Sequence, residues 1–514
     1  MRRAALAGLL LLTCAALACA AREPGPAADA IAADEPAQPV AGLPASDPPA
    51  LLSPSPVPSV PPSAIPSWER PPPPIETGPI VDAERLHVAT LENGLRVIVL
   101  ADHRLPQVEL GLAVRRGAAS EPVAQAGLAG FLADLMERGA GDRDALALAE
   151  TVDGLGASFG VAAGWDSIEV GVSGLSRDLV PLFGVLADLV RRPRLDPAEA
   201  EKVRAETLAA LERAKDRPQT LASWHFSRAV YDGHRYGLPS EGTPETVAGL
   251  DAAVARAFHE RMFVPGNAIL YASGDLAAAD LQALAREAFG SWPAAPVPEP
   301  GPPPPAQAPA ARRIVVVDRP DLGQAQIVVG HEGIERTYEE RVAVSLLNNV
   351  LGGGGFSSRL MQVIREREGL AYGVGSSFRL SRAAGPFLVS TATRVAEARR
   401  ALDLLLAELA GIRERPPTAD ELAHAQTYAA GRFALGLETS RAMLGSLVDL
   451  DAYGLPLDGL DTYRARVAAV TPADVAREAL ARIHPERAAI VVVGPASELE
   501  PALADLGPVE VVKP

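Results

Sequence analysis

Between residues 86 and 506 the sequence runs twice through one order of elements, which restricts the fold to two like halves. Each half starts near a β-branched strand, residues 95–100 and 313–317. A strand closing on glycine follows, 109–117 and 324–333, and then an apolar helix, 124–138 and 341–351. Each half finishes with a proline and a strand that stops at glycine, Pro265 to Gly274 and Pro485 to Gly494, at equal spacing. A Pro- and Ala-rich stretch, 292–312, separates the copies. Within the first copy the patterning predicts a helix over 144–155, strands over 157–163 and 167–174, and helices over 179–191 and 197–214. Asn93-Gly94 predicts a hairpin turn. Strands and helices mixed without strict alternation indicate an α+β fold, two units with helices packed on a mostly antiparallel sheet, paired like a clam around a cleft.

The segments outside the repeat read differently. Residues 1–21 have the parts of a secretory signal: Arg2 and Arg3, an apolar run over 4–17, then small residues. Cleavage near Ala20 or Ala21 and lipidation of Cys19 both fit, so the sequence predicts export to the periplasm or cell envelope and leaves membrane anchoring open. Residues 22–79 are Pro, Ala and Ser with few large apolar side chains, a composition that cannot offset its ordering entropy and reads as a tether. The folded parts are then 80–291 and 313–514, joined by the 292–312 linker. Both cysteines, Cys14 and Cys19, fall in the signal, so the repeat has no thiol chemistry of its own. A net charge of −16 argues against a nucleic-acid partner, which would call for a basic face.

The chemistry concentrates at Gly352-Gly353-Gly354-Gly355-Phe356-Ser357-Ser358-Arg359-Leu360 and onward to Tyr372. Four glycines permit positive φ and close approach of another chain. Ser357 or Ser358 is placed to cap a short helix burying Leu360, Met361 and Ile364, and Gly369 to end it. Arg365 and Tyr372 then converge past the turn. From residue chemistry alone two readings stand. Arg365 pairs with neighbouring glutamates and Tyr372 is a half-buried strand residue, or the pair presents donors to a carbonyl and its developing oxyanion.

These residues, GGGGFSSRL followed by IREREGLAYGV, resemble the C-terminal signature of the insulinase-like (pitrilysin, M16) metallopeptidase family. The 231–237 run YDGHRYG and Gly242-Thr243-Pro244-Glu245 are similar to a second segment of that family. The resemblance implies catalytic roles for Arg365 and Tyr372, which help hold substrate opposite a zinc ion. It also implies a peptide path along Gly353, Gly354, Gly355 and Phe356. In active members the first helix carries His-x-x-Glu-His, whose histidines ligate zinc while the glutamate activates water. Here those positions fall on Gly130, Ala133 and Asp134, and a later zinc-binding glutamate on Ala209 or Ala210. Glu206 and Glu212 lie near, but displaced carboxylates cannot replace two imidazoles. Asp134, Glu137 and Asp142 read as a solvated acidic helix end.

The resemblance therefore implies a chain that binds no metal or cofactor and does not hydrolyse peptides alone. It matches the non-zinc subunit of a two-subunit peptidase, whose paralogous partner carries the intact motif and the zinc, acting on peptides or unfolded polypeptides. The alternative is an inactive peptide-binding or assembly protein of the cell envelope. No nucleophile elbow, phosphate loop or dinucleotide fingerprint supports a separate chemistry.

Overall fold

A computed structural model describes residue 75 and residues 78–301 and 311–514. The signal, Cys19, nearly all of the tether and residues 302–310 of the linker lie outside the described residues. By its contacts the chain divides at Pro73–Pro74, and the sheets and helices described belong to the second unit, Pro74–Pro514.

Two six-stranded sheets organise the unit. The first contains β1 (Leu86–Thr90), β2 (Arg96–Ala101) and β3 (Gln107–Val114). A two-residue ribbon, β4 (Gly139–Ala140) and β5 (Arg143–Asp144), stands apart, and β6 (Ser158–Ala163), β7 (Ile168–Leu175) and β8 (Ala268–Gly274) complete the sheet. The second sheet holds β9 (Arg313–Asp318), β10 (Gln324–Glu332), β11 (Val374–Phe378), β12 (Pro386–Arg394), β13 (Ala489–Gly494) and β14 (Val509–Val512). Their orders are β1-β2-β8-β3-β7-β6 and β11-β12-β10-β13-β9-β14. Reversed, the second order repeats the first strand for strand except at one edge. There β1 comes from the start of the chain and runs antiparallel to β2, while β14 comes from its end and runs parallel to β9. The duplication is thus a duplication of topology, with the edge strand drawn from opposite chain ends. The Asn93-Gly94 turn closes the β1–β2 hairpin, with Gly94 at φ 92° and the Asn93 amide donating to the carbonyls of Phe289 and Trp292.

Both faces of each sheet are covered. In β2, Val97 and Val99 enter one core with helices Leu128–Met136 and Leu179–Arg191, while Ile98 and Leu100 point the other way. The alternation follows from the period of two along a strand, and burial on both faces is why these strands read as unbroken apolar runs. The second face is covered by the opposite half. Leu444, Leu447 and Val448 of helix Ser440–Ala452 pack with Ile98, Leu100, Ala113 and Ile269 of the first sheet. Reciprocally, Leu221, Ala222, Phe226 and Ala229 of helix Pro218–Val230 pack with Val315, Val317, Val328 and Val491 of the second sheet. Each buried Leu, Val or Phe contributes roughly 1.5–3 kcal/mol, so the exchanged helices bind the halves firmly together.

Candidate functional site

The glycine stretch grows out of helix Arg341–Asn348, whose last turn widens over Asn349–Gly353 into π-type spacing. Close packing explains three of the glycines. A Cβ on Gly352 would stand 2.6 Å from Ser376 Oγ, one on Gly353 2.6 Å from the Asn348 amide, and one on Gly354 2.6 Å from the Asn349 carbonyl. Gly355 differs: its surroundings are open, and φ of 64° is what requires glycine. Gly353, Gly355 and Phe356 are exposed and Gly354 is half-buried.

Ser358 then starts the next helix, its carbonyl accepting from Gln362 N at 3.0 Å. The serine hydroxyls do not cap it as the sequence suggests. Ser358 Oγ donates to the Gly355 carbonyl at 2.7 Å and Ser357 Oγ to the Gly354 carbonyl at 3.1 Å. They tighten the turn of the loop, bonding its carbonyls in place of the helix N–H groups. Leu360, Met361 and Ile364 are buried, as their spacing predicts. The helix also takes π-type spacing over Met361–Arg367, and Gly369 at φ 61° ends it.

Arg365 and Tyr372 come together past this turn. Arg365 Nη1 donates to the Tyr372 carbonyl at 2.8 Å, and the guanidinium lies 4.8 Å from the centre of the Tyr372 ring. It lies 4.6 Å from the Phe356 ring, so it is layered with two aromatic groups. Glu366 approaches Arg365 Nε only to 3.6 Å, beyond hydrogen-bond range. Tyr372 is 81% exposed, and its hydroxyl has no hydrogen bond among the described residues. The segment carrying Tyr372 is fixed from behind: Thr393 Oγ1 donates to the Leu370 carbonyl and Thr391 Oγ1 to that of Gly373. The strand-residue reading of Tyr372 fails, since β11 begins at Val374. What results is a rigid backbone presenting a guanidinium, a phenol and an exposed ring with donors left over.

In the first half, helix Leu128–Met136 offers a different surface. Gly130 and Ala133 supply no donor atom, and Ala133 is buried at 2% exposure. Asp134 is exposed, yet crowding by protein, reinforced by the Glu137 charge, pushes its carboxyl up to about 6. Glu137 Oε1 accepts from Val161 N at 2.7 Å, and Glu206 pairs with Arg138 at 2.7 Å. These residues do not fit a zinc ion, which needs imidazoles or free carboxylates in tetrahedral array. Among the described residues no group of three or more His, Cys, Asp or Glu is placed to hold a metal.

What holds this helix is a pair the sequence reading passed over. Glu121 accepts from the backbone N–H groups of Gly127 and Ala129 at the helix start, where the macrodipole favours negative charge. Arg235 meets Glu121 through Nε and Nη2, both at 2.8 Å, and the two side chains are 3% and 0% exposed. The 231–237 segment exists around this arginine. His234 Nδ1 accepts from Tyr236 N, and Trp165 lies 4.9 Å from the guanidinium. The signal was present in that segment, but its partner stands 114 residues away.

The sequence models of two families match. The insulinase family, peptidase family M16, matches residues 96–244, and the peptidase M16 inactive domain matches 249–428. An uncharacterized zinc protease of Mycobacterium bovis is 30% identical over 369 residues, covering 70% of this chain and 82% of the relative. This chain belongs to the M16 peptidase family. An uncharacterized zinc protease of Streptomyces coelicolor is 28% identical, over 70% of this chain and 78% of the relative. Among solved structures, a peptidase M16 inactive domain from Pseudomonas fluorescens aligns with TM-score 0.73 and 28% identity, over 80% of this chain and 98% of that one. The first half of the periplasmic protease PqqL from Escherichia coli aligns with TM-score 0.67 at 17% identity, over 83% and 98%, which shows the shared fold. The two-sheet architecture is thus that of M16 proteins. In this M16 chain the Arg365 loop lies within the inactive-domain match, and helix Leu128–Met136 within the insulinase match.

Proposed function

We propose that this chain is the non-zinc subunit of a heteromeric M16 peptidase, in which Arg365 and Tyr372 hold and polarise the substrate. The observation that carries the reading is the contrast in donor sets. The positions matching the family's zinc ligands offer no imidazole, Asp134 being the one carboxylate among them, while Arg365 and Tyr372 are assembled and backed by backbone hydrogen bonds, with Tyr372 exposed. On this reading a paralogous partner with an intact His-x-x-Glu-His motif supplies the zinc. Arg365 holds the backbone of a peptide or unfolded polypeptide, and the Tyr372 hydroxyl donates to the oxyanion that develops on the scissile carbonyl. Phe356 forms the apolar wall beside them, and Gly353 to Gly355 leave room for the peptide. The proposal includes export by the 1–21 signal, with action in the periplasm or cell envelope, anchored or free.

The second reading, a peptide-binding or assembly protein, keeps the same surface without turnover. Affinity purification of the tagged protein from its native host separates the two. The half-enzyme requires a second chain bearing His-x-x-Glu-His to co-elute with zinc and peptidase activity. Arg365→Ala should then lower turnover more than about tenfold with the complex intact. A chain that elutes alone, without zinc and inert, moves the assignment to the second reading.

A further inference from the structure

Away from this loop, Arg96, Arg115, Arg116 and Arg382 line one cavity of about 470 Å³ at the seam between the halves, with Asp451 the carboxylate in its wall. Arg96 belongs to β2, Arg115 and Arg116 follow β3, Arg382 sits in the turn between β11 and β12, and Asp451 is near the end of helix Ser440–Ala452. Asp451 is already engaged: Oδ1 accepts from Arg96 Nε at 3.1 Å and Oδ2 from Arg115 Nη2 at 2.5 Å. Arg116 and Arg382 have no carboxylate within 4.0 Å among the described residues. Carbonyl oxygens hold them instead. Arg116 donates to Pro298 at 3.1 Å and to Arg115 at 2.7 Å; Arg382 donates to Ala452 at 2.8 Å and lies 5.0 Å from the Tyr453 ring. The buried Nε atoms of Arg115 and Arg382 meet no acceptor. Asp166 stands close, its Oδ2 accepting from the backbone N–H of Arg382 and the hydroxyl of Tyr453. Burial makes the Arg116 guanidinium a weaker base than usual; the Arg382 charge adds to this, and the charges of Asp166 and Glu299 oppose it.

Arg116 and Arg382 line the same cavity, and neither can swing away without losing its carbonyl bonds. An anion in the cavity offsets the charge of both guanidiniums. Guanidiniums approaching from more than one side suit a compact, multiply charged, tetrahedral oxyanion better than a planar carboxylate. We propose that this seam cavity binds a phosphate-type oxyanion, clamped between Arg116 of the first half and Arg382 of the second. The bound anion ties the halves together through residues outside the Arg365 loop, whatever that loop does.

Calorimetric titration of the full chain with inorganic phosphate, at constant ionic strength in chloride, tests the site. One saturable site is expected. Arg116→Gln and Arg382→Gln should each weaken it at least about tenfold, and Arg177→Gln, on the exposed surface, should not. Glycerol 3-phosphate binding more tightly than phosphate identifies the ligand as a phosphate ester, whereas equal affinity identifies the free ion. No saturable heat, or equal affinity in the two variants, overturns the proposal. Crystals of the wild-type chain soaked in selenate give a reading that does not depend on the variants folding. An anomalous peak between the two guanidiniums is expected, and its absence also overturns the proposal.

Discussion

Arg235 and Arg365 each lie against an aromatic ring, and the comparison between them separates a residue that builds the fold from one available to a ligand. Arg235 places all its donors: Nε and Nη2 on Glu121, Nη1 on the carbonyls of Leu238 and Pro239, and Nη2 also on that of Ser240. Its side chain is 3% exposed. Arg365 makes one hydrogen bond, to a carbonyl, and stays 28% exposed between Phe356 and Tyr372. A guanidinium has five N–H groups, so Arg365 retains most of its capacity. The difference maps onto the two halves. In the first half helix Leu128–Met136 is held at its start by internal pairing; in the second half the Arg365 loop faces outward with donors unused.

The widest test of this contrast removes each arginine. Arg235→Ala should destabilise the chain by about 3–5 kcal/mol, because it leaves Glu121 buried and unpaired. Arg365→Ala should change stability by less than about 1 kcal/mol, as exposed contacts do. Urea unfolding of both variants checks this, and equal losses would end the distinction. Gly352→Ala comes next, at about 1–3 kcal/mol, since its Cβ meets Ser376 and Leu360 and neither strand nor core can yield freely. Gly355→Ala should lie near 1 kcal/mol, reflecting its positive φ alone. Thermal unfolding of the two variants ranks them, and the reverse order would mean the loop is looser than its packing indicates.

A third test attempts to convert one half into the other kind of site. Gly130→His, Ala133→Glu and Asp134→His together write His-x-x-Glu-His into helix Leu128–Met136, but Ala209 and Ala210 supply no further carboxylate and Ala133 is buried. Stoichiometric zinc should therefore be absent after dialysis, as measured by metal analysis.

The smallest effect concerns Asp134. Its carboxyl is raised in the folded state, from 3.8 to about 6, so between those values the folded chain binds more protons than the unfolded one. Its contribution to stability falls as pH rises through that window. Asp134→Asn should relieve this loss and make the chain more stable at pH 7 by about 1 kcal/mol or less, solvent access at the exposed side chain limiting the gain. Equal stability of variant and wild type at pH 7 would show the carboxylate to be fully solvated.

Much of this was legible in the sequence where the signal is local. Helices Leu179–Arg191 and Pro197–Ala214 stand at the residues their patterning marks, and the glycine that ends the Arg365 helix was visible as a stop. The convergence of Arg365 on Tyr372 followed from a short helix and one turn. What escaped was long-range. An apolar stripe on helix Ser440–Ala452 says that one face is buried, not that it is buried on the sheet of the other half. The Glu121–Arg235 pair, and the edge strand taken from opposite chain ends, have no local pattern at all. The serine hydroxyls were misread because a short polar side chain bonds whichever backbone group is nearest, and in a glycine turn that is the carbonyl behind it.

The exchanged helices also set a clock on biosynthesis. Ile269, on the last strand of the first sheet to be made, waits for Leu444 and Leu447, which leave the ribosome roughly 175 residues later. At about 5–20 residues per second that delay is roughly 9–35 s, far longer than a sheet and its own helices take to collapse. During that interval one apolar face of the first sheet is bare, and the nascent chain depends on whatever shields it until its last hundred residues arrive.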